Sequence, residues 1–364
     1  MKTYPLKSID LNEAIKKQFK LVDEITRVYK GSEFLSLGDL GVVQPLNQPS
    51  YTKQAEKVIA NFFDAEKALL VQGAGTAAIR FSLLAVFKAN DTILIHDAPI
   101  YPTTKVSIES LALKVIKVDF NNLAKVKEAL VNNKIDGCLV QYTRQLMSDS
   151  YDIGQVIATI KDFKDIPIIT DDNYAALKVS KIGCELKADL SCFSCFKLQG
   201  PVGVGAIVGK EKFINKIKEM NYSGGSQVQG FQANEVLRAM VNAPVALAIQ
   251  ARVNEELLTR LNNGEISQVK RAYLANAQSK VLLVEFKEEI AQDVLAVCNE
   301  LGAAINPVGA ESKYEIAPMF YRLSSTFRTN NPELSKVMIR INPMRSGSDS
   351  VIRILKEAIE RIGE

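Results

Sequence analysis

The feature that most constrains this chain is an alternation of short apolar segments with amphipathic segments between residues 51 and 242. The apolar runs have the length of buried strands, and the segments between them have the periodicity of helices. Those runs are A-L-L-V-Q, T-I-L-I-H-D, K-V-I-K-V-D-F, D-G-C-L-V-Q, I-P-I-I-T-D-D, A-D-L-S-C-F-S and V-G-A-I-V-G. Strands that alternate with helices form a mainly parallel sheet covered by helices on both faces. We therefore predict an α/β fold.

The chain ends predict an arm and a second domain. A helix is predicted over residues 10–29, followed by an irregular Gly/Pro segment, and Ser50 is expected to cap the next helix. A long helix over residues 233–261 leads to strand-like segments, among them residues 321–327, and to a last helix over residues 350–362.

A chain of 364 residues is longer than one hydrophobic core usually organises. We predict three parts: a helix and arm over residues 1–50, a large domain over residues 51–242, and a smaller C-terminal α/β domain over residues 243–364.

Charge and composition narrow the class of function. The 45 basic and 41 acidic residues are interleaved and leave a net charge of +4, which does not indicate nucleic-acid binding. The sequence lacks an apolar run of about 20 residues and an N-terminal signal pattern, so we expect no membrane span and a cytoplasmic protein.

The five scattered cysteines predict reduced thiols. Cys192 and Cys195 form a C-x-x-C, but His96 is the one histidine, so no metal site is expected.

A glycine turn, Gly73-Ala74-Gly75-Thr76, follows the first predicted strand and opens a helix. Backbone amides at such a helix start suit a phosphate group. The same residues fit the dinucleotide fingerprint G-x-G-x-x-A, with Ala78 in the last position and Asp97 placed as a ribose-binding acid. The turn alone therefore leaves a phosphate site and a nicotinamide dinucleotide site open.

Two consecutive carboxylates, Asp171 and Asp172, follow the run I-P-I-I-T, with Asn173 and Tyr174 after them. Ligands of open α/β sheets bind at the carboxyl ends of the strands, where these residues are expected. Because side chains alternate along an extended segment, only one of the two carboxylates can face a given ligand.

Lys197 lies between Phe196 and Leu198 and precedes a glycine-rich run. Lysine is rarely buried unless it is used or paired. Burial lowers the pKa of an amine, and the neutral amine can then condense with a carbonyl group.

In this order, the glycine turn, the strand-end aspartate and S-x-x-K before a glycine-rich strand resemble the fold-type I pyridoxal-phosphate enzymes. The pattern is similar to the cystathionine synthase and lyase group and to the selenocysteine-synthase-like group. It is most similar to an aminotransferase-like bacterial subfamily, through H-D-A-P-I-Y-P-T-T, T-D-D-N-Y-A, F-K-L-Q-G-P, S-G-G-S-Q-V-Q-G, E-S-K-Y-E-I-A-P-M and R-I-N-P-M-R.

The resemblance implies a role for each matching residue. Lys197 would hold pyridoxal 5′-phosphate as a Schiff base, Tyr101 would stack on its ring, and Arg340 would bind the substrate α-carboxylate. The D-x-x-aromatic pattern favours Asp171, with Tyr174 in the aromatic position, over Asp172 as partner of the pyridine nitrogen. The cofactor phosphate would be bound by Ser194 and by Gly73, Ala74, Gly75 and Thr76.

The implied function is a pyridoxal-phosphate enzyme that acts at the α-carbon of an amino acid, as an aminotransferase or as a lyase that eliminates a β- or γ-substituent. A homodimer or a dimer of dimers is implied as well. The tyrosine-x-arginine segment that the cystathionine group carries in its arm is absent before Pro49. The alternatives are an NAD-dependent dehydrogenase that uses the Gly73-Ala74-Gly75 turn and a non-catalytic sensor that binds pyridoxal phosphate.

Overall fold

The structure is a computed structural model that describes residues 2–144, 146–277, 279–306, 311–323 and 331–363. The chain divides into two compact units. The larger unit comprises residues 15–143 and 151–244, and the smaller one comprises residues 1–14, 144–150 and 245–364.

The larger unit is built on a seven-stranded sheet in the order β1-β7-β6-β5-β4-β2-β3. Every neighbouring pair between β6 and β3 is parallel, whereas β7 runs antiparallel to both β6 and β1. The described strands are β1 (Lys67–Gln72), β2 (Thr92–His96), β3 (Lys114–Val118), β4 (Gly137–Gln141), β5 (Ile168–Asp171), β6 (Leu190–Ser194) and β7 (Val204–Gly209).

Burial explains why these short runs become strands. All residues of β5, β6 and β7 are buried, as expected for strands that are covered on both faces. Strand β3 lies at one edge of the sheet and is half-exposed. The helices of this unit are α1 (Leu11–Val28), α2 (Ser50–Phe62), α3 (Ala74–Val86), α4 (Pro102–Ser110), α5 (Leu123–Asn132), α6 (Ile153–Phe163) and α7 (Glu211–Met220), followed by the first half of α8 (Gly230–Asn262).

Side-chain caps fix several helix starts. Asn122 accepts hydrogen bonds from the backbone amides at the start of α5, and Asp152 does the same for α6. The prediction that Ser50 caps the next helix is wrong, because Ser50 is the first helical residue. Its amide instead donates to the Asp39 carboxylate at 2.6 Å, so a residue of the arm caps α2.

The smaller unit contains a four-stranded antiparallel sheet in the order β10-β11-β9-β8. One face of the sheet packs on helices around a core that includes Leu257, Phe320 and Leu355. The described elements are β8 (Val269–Ala277), β9 (Ser279–Phe286), α9 (Ala291–Glu300), β10 (Met319–Tyr321), α10 (Leu334–Val337), β11 (Met338–Asn342) and α11 (Ser348–Gly363).

Helix α8 is long and apolar enough to cross a membrane by length and composition. Its most apolar window is 56% buried inside the protein, which is the behaviour of a core helix in a protein that folds in water. Both units contribute to this helix, since the boundary between them falls after Pro244.

The predicted fold class is confirmed, with a large, mostly parallel sheet covered by helices and a smaller C-terminal α/β domain. Strand β8 was not predicted. The strand predicted over residues 321–327 is described as far as residue 323, and β10 ends at Tyr321; the remainder lies outside the described residues. The predicted domain ranges stay predictions.

Candidate active site

The sheet of the larger unit brings three parts of the sequence to one edge. Strands β1, β5 and β6 point in the same direction, so their carboxyl ends meet at the same edge of the sheet. The turn at Gly73 follows β1, Asp171 ends β5, and Ser194 ends β6 shortly before Lys197. This is the edge at which ligands of open α/β sheets bind.

The same strand order excludes the dinucleotide alternative. A ribose-binding acid must end the strand beside the one that carries the glycine turn. Asp97 follows β2, which lies five positions from β1 in the sheet. At about 4.8 Å between neighbouring strands, that separation is roughly 24 Å. Asp97 and the Gly73 turn therefore cannot bind one dinucleotide in the predicted way, and this alternative is wrong.

Asp171 is the carboxylate that shares its surroundings with Lys197. Its Oδ1 accepts hydrogen bonds from the backbone amide of Asn173 at 3.1 Å and from the Asn173 side-chain amide at 2.7 Å. Burial raises the pKa of Asp171, while the charge of Lys197 and the bonds from Asn173 lower it. A carboxylate held in this way is ready to pair with a cation at the edge of the sheet.

Asp172 faces a different set of groups. Its Oδ2 accepts from the Thr170 hydroxyl at 2.9 Å and from the Gly183 amide at 3.2 Å. Burial raises the pKa of Asp172 to about 7, and the neighbouring Asp171 charge adds to the increase. The two carboxylates therefore face different groups, as the alternation predicts. The charge of Lys197 lowers the pKa of Asp171 and is not among the main causes that shift the pKa of Asp172.

Lys197 lies in a 3₁₀ turn, Cys195–Leu198, directly after β6, and its side chain is half-buried. Its Nζ atom lies 3.9 Å from the centroid of the Tyr174 ring. An ammonium over a desolvated aromatic face gains about 1–2 kcal/mol. Tyr174 itself has a left-handed backbone with a φ of 63°, so the turn after β5 is bent in a way that places its ring against Lys197.

Asn173 connects the parts of the site, although no role was predicted for it. Besides its bonds to Asp171, its Oδ1 accepts from the backbone amide of Ser194 at 3.0 Å. The Thr143 hydroxyl donates to its carbonyl oxygen at 2.7 Å. A Cβ at Gly75 would lie 2.5 Å from the Asn173 Oδ1, so only glycine fits against it. Asn173 thus ties the glycine turn to the ends of β5 and β6.

Two backbone amides of the glycine turn already donate hydrogen bonds within the protein. The amides of Gly73 and Ala74 both donate to the Gly203 carbonyl, at 2.7 and 2.8 Å. The predicted phosphate site consequently depends on the later amides of the turn. The Thr76 hydroxyl lies 3.3 Å from that of Thr103, at the start of α4. Tyr101, predicted to stack on the cofactor ring, directly precedes α4 and is 39% exposed.

Two further side chains near Lys197 were missed from the sequence. Gln199 has a left-handed backbone, and its Nε2 is buried and has no hydrogen-bond partner in the described structure. Lys178 is buried, with its Nζ 5.6 Å from the Tyr174 ring centroid. One local signal could have indicated Lys178, because it is a charged residue in the otherwise apolar run A-A-L-K-V.

Arg340 lies on β11 in the smaller unit and is buried. Its Nε donates to the Arg322 carbonyl at 2.8 Å, and its guanidinium carbon lies 4.0 Å from the Tyr321 ring centroid. Stacking and backbone contacts of this kind fix the plane of a guanidinium fork. Its assignment to the substrate carboxylate stays a prediction.

His96 has a structural role, in packing and in a backbone hydrogen bond. Its Nδ1 accepts a hydrogen bond from the Phe120 amide at 3.0 Å, and its ring packs against Phe120 and Tyr151. All five cysteines lie in the described ranges and are free thiols. Burial raises the pKa of both Cys192 and Cys195, which makes these thiols unreactive.

Comparison with known proteins assigns the family. A family described as aminotransferase class-V matches residues 47–243, and a family described as YhfS-like, C-terminal domain, matches residues 255–355. The chain is 55% identical over 362 residues to the uncharacterized protein YhfS of Escherichia coli K12, with 100% of both chains covered. The chain belongs to the class-V aminotransferase family.

Solved structures agree with this assignment. The chain is similar to the pyridoxal-5′-phosphate dependent protein YhfS from Escherichia coli, with a TM-score of 0.98 and 99% and 100% of the two chains covered. A cystathione gamma lyase from Micromonospora echinospora has the same fold at 13% identity, with a TM-score of 0.74 and coverage of 94% and 98%. A cysteine desulfurase from Wigglesworthia glossinidia brevipalpis is 29% identical over 153 residues, which is 38% of this chain and 35% of the desulfurase.

The predicted family, the fold-type I pyridoxal-phosphate enzymes, is thereby confirmed, and the chain is an enzyme of that family. The residues at the carboxyl edge of the sheet also suit such a cofactor chemically. Asp171 offers a buried carboxylate beside an amine, and Gln199 offers a buried amide donor without a protein partner. The residues present therefore fit pyridoxal phosphate.

Asp172 gives the unfolding free energy a pH dependence that its replacement should remove. The pKa of the Asp172 carboxyl is about 7 in the folded chain, above the usual value of about 3.8. Between these two pH values the folded chain keeps a proton that the unfolded chain has lost. Its contribution to stability is therefore complete below about pH 4 and is lost as the pH rises to about 7, by roughly 4 kcal/mol. In Asp172→Asn the loss should disappear.

Urea denaturation between pH 4.5 and 7.5 measures this difference. Asp165→Asn, on an exposed segment, is the control and should follow the wild-type pH dependence. Parallel curves for the wild type and Asp172→Asn would contradict the assignment of a raised pKa to Asp172.

Proposed function

We propose that this chain binds pyridoxal 5′-phosphate through Lys197 and acts at the α-carbon of an amino acid. The observation that carries the proposal is that the Asn173 side chain bonds both the buried Asp171 carboxylate and the backbone amide of Ser194, three residues before Lys197, at the carboxyl edge of the sheet. The similar protein of Escherichia coli is described as pyridoxal-5′-phosphate dependent, which supports the same cofactor here.

When bound, pyridoxal phosphate supplies an electron sink for a negative charge that develops at the substrate α-carbon. Lys197 would hold the cofactor through its Nζ atom, as the neutral amine that can condense with an aldehyde. Asp171 would hold a proton on the ring nitrogen of the cofactor. At about 3 Å and an effective dielectric constant near 20, such a pair contributes roughly 5 kcal/mol, or about 4 pK units.

The other predicted residues bind and orient. Ser194 and the later amides of the glycine turn, those of Gly75 and Thr76, would hold the phosphate at the start of α3, because the amides of Gly73 and Ala74 are bonded to the Gly203 carbonyl. Tyr101 and Tyr174 would contact the ring, and Arg340 would take both oxygens of the substrate carboxylate through its planar fork. Lys197 would also be the base that removes the α-proton of the substrate.

The subsequent step defines the reaction class, an aminotransferase or a β- or γ-eliminating lyase. An aminotransferase needs a 2-oxo acid to accept the amino group, whereas a lyase releases ammonia, a keto acid and the side group without a second substrate. An amino-acid panel assayed with and without pyruvate or 2-oxoglutarate separates the two.

We place the enzyme in the cytoplasm.

The test of the proposal is covalent capture at Lys197. Protein incubated with pyridoxal phosphate should show a visible absorption band that borohydride bleaches, because reduction of the imine fixes the pyridoxyl group to the amine. Mass spectrometry should find that group on the peptide containing Lys197. Lys197→Ala should lose the band and the adduct.

Lys187→Ala, a lysine on the other side of β6, is the matched control and should keep both. An adduct on another lysine, or a protein that stays colourless with the cofactor, would refute the proposal.

We further propose that the chain forms a homodimer through its arm. Leu35, Leu37 and Leu40 lie within six residues and are 83%, 77% and 80% exposed. The arm that carries them is bound to the rest of its unit, since the Gly41 amide donates to Gln229 and the Asn47 side chain donates to the Tyr222 carbonyl. Ordered, exposed leucines are typical of a surface that a second protein covers.

The triple variant Leu35→Ser, Leu37→Ser, Leu40→Ser should therefore shift the mass found by light scattering from dimer toward monomer. Val131→Ser, which removes an apolar side chain that is 69% exposed on α5, should leave the mass unchanged. A triple variant that remains dimeric would place the interface elsewhere.

A further inference from the structure

The motif S-G-G-S-Q-V-Q-G, residues 223–230, has no role in the site described above, yet it lies between the arm and the first strand of the larger sheet. Gln227 forms an isolated antiparallel bridge with Val71 of β1. Gln229 directly precedes α8, and its Oε1 accepts a hydrogen bond from the Gly41 amide of the arm at 2.7 Å. The motif therefore contacts the arm on one side and β1 on the other.

Three glutamines connect the arm with the end of β1. The Oε1 of Gln232 accepts a hydrogen bond from the backbone amide of Gln229 at 3.0 Å and another from the Nε2 of Gln72 at 2.8 Å. A carbonyl oxygen has two lone pairs, so Gln232 can accept both bonds at once. Gln72 is the last residue of β1, and the glycine turn follows it directly. Hydrogen bonds thus lead from the arm, through Gln229 and Gln232, to the residue before the turn.

Backbone groups fix the orientation of each side-chain amide in this line. The Gly41 amide is a donor, so Gln229 must present its oxygen to the arm, and its Nε2 donates to the Gln227 carbonyl at 3.1 Å. The Gln229 backbone amide is also a donor, so Gln232 must present its oxygen. Gln72 then has to present its nitrogen. Donors and acceptors therefore match along the whole line in one arrangement, which includes the docked arm.

The Gln72 side chain lies beside the backbone that shapes the glycine turn. A Cβ at Gly203 would lie 4.0 Å from the Gln72 Oε1. The Gly203 carbonyl accepts hydrogen bonds from the first two amides of the glycine turn, at 2.7 and 2.8 Å. Holding the Gln72 side chain therefore restrains both the end of β1 and the loop that fixes the direction of the remaining amides of the turn.

We propose that Gln72 and Gln232 are positioning residues that couple the arm to the glycine turn and thereby set the affinity of the turn for the cofactor phosphate. The inference rests on the proposed function, in which the later amides of the turn hold that phosphate. Gln232 also caps α8, since it lies three residues after Gln229 and bonds the backbone amide of that residue. Non-additive effects of two substitutions distinguish coupling from a series of separate contacts.

The experiment compares the binding of pyridoxal phosphate with that of pyridoxal, which lacks the phosphate group. Both are titrated into the full chain after hydroxylamine has removed any bound cofactor. Gln72→Met removes one donor, and it leaves the bond between Gln232 and Gln229 in place. This variant should bind pyridoxal phosphate about fivefold more weakly, the effect of one hydrogen bond, and should bind pyridoxal as the wild type does. Gln229→Met, which releases the Gly41 amide, should have the same selective effect.

The double variant Gln72→Met, Gln229→Met tests the coupling itself. If both glutamines act through one line of bonds, the double variant should bind pyridoxal phosphate no more weakly than the weaker of the two single variants. Independent effects would multiply to about 25-fold. Gln155→Met, which changes an exposed glutamine of α6, is the matched control and should leave both affinities unchanged. If Gln72→Met does not fold, as judged by circular dichroism, Gln72→Leu carries the same prediction.

Three results would overturn the proposal: equal weakening of pyridoxal phosphate and pyridoxal in Gln72→Met, unchanged affinity for both, or multiplied effects in the double variant. A wild-type chain that binds neither compound would refute the proposed function, and the inference with it. A wild-type chain that binds both compounds, with no selective loss in Gln72→Met, would refute only the coupling.

Discussion

The attraction between the Asp171 carboxylate and the Lys197 ammonium is the interaction on which the candidate site depends. Burial by itself would favour a protonated Asp171, and the nearby lysine charge and the two hydrogen bonds from Asn173 oppose that tendency. A buried carboxylate retains its charge only when a cation or several donors surround it. In the proposed function, the ring nitrogen of the cofactor adds a second cation to this carboxylate.

The sheet supplies the geometry that this interaction requires. Strands β5 and β6 are parallel neighbours, so Asp171 at the end of one and Ser194 at the end of the other lie at one edge. Asn173 then joins that edge to Gly75 at the start of α3, where a side chain larger than that of glycine would not fit. The site is thus held by buried backbone at strand ends, which limits the movement of the groups that must meet the cofactor.

The sequence was sufficient for the fold class and for the elements whose signal is local. Apolar runs predicted every strand of the larger sheet, and the alternation of side chains along an extended segment predicted that Asp171 and Asp172 face different groups. Strand β8 was missed because K-R-A-Y-L-A-N-A mixes charged and apolar residues and pairs with β9 only through the hairpin. The cap of α2 was misassigned to Ser50, because Asp39, eleven residues away, reaches it through the fold of the arm.

Contacts between distant segments explain the other differences. The role of Asn173 needs Thr143, Gly75 and Ser194 to meet, and no local pattern records that meeting. The position of Lys178 was missed for the same reason, because the fold brings the amines of Lys178 and Lys197 near the same Tyr174 ring. The dinucleotide alternative was reasonable from the spacing of Gly73, Gly75 and Asp97, and only the order of the strands excludes it.

The most direct test of the account is the protonation of the cofactor ring nitrogen, followed by NMR with ¹⁵N-labelled pyridoxal phosphate bound to the protein. The nitrogen should be protonated at neutral pH in the wild type and in Asp172→Asn, and it should lose its proton in Asp171→Asn. An unprotonated nitrogen in the wild type, or a proton lost in Asp172→Asn but kept in Asp171→Asn, would contradict the central claim that Asp171 faces the cofactor ring.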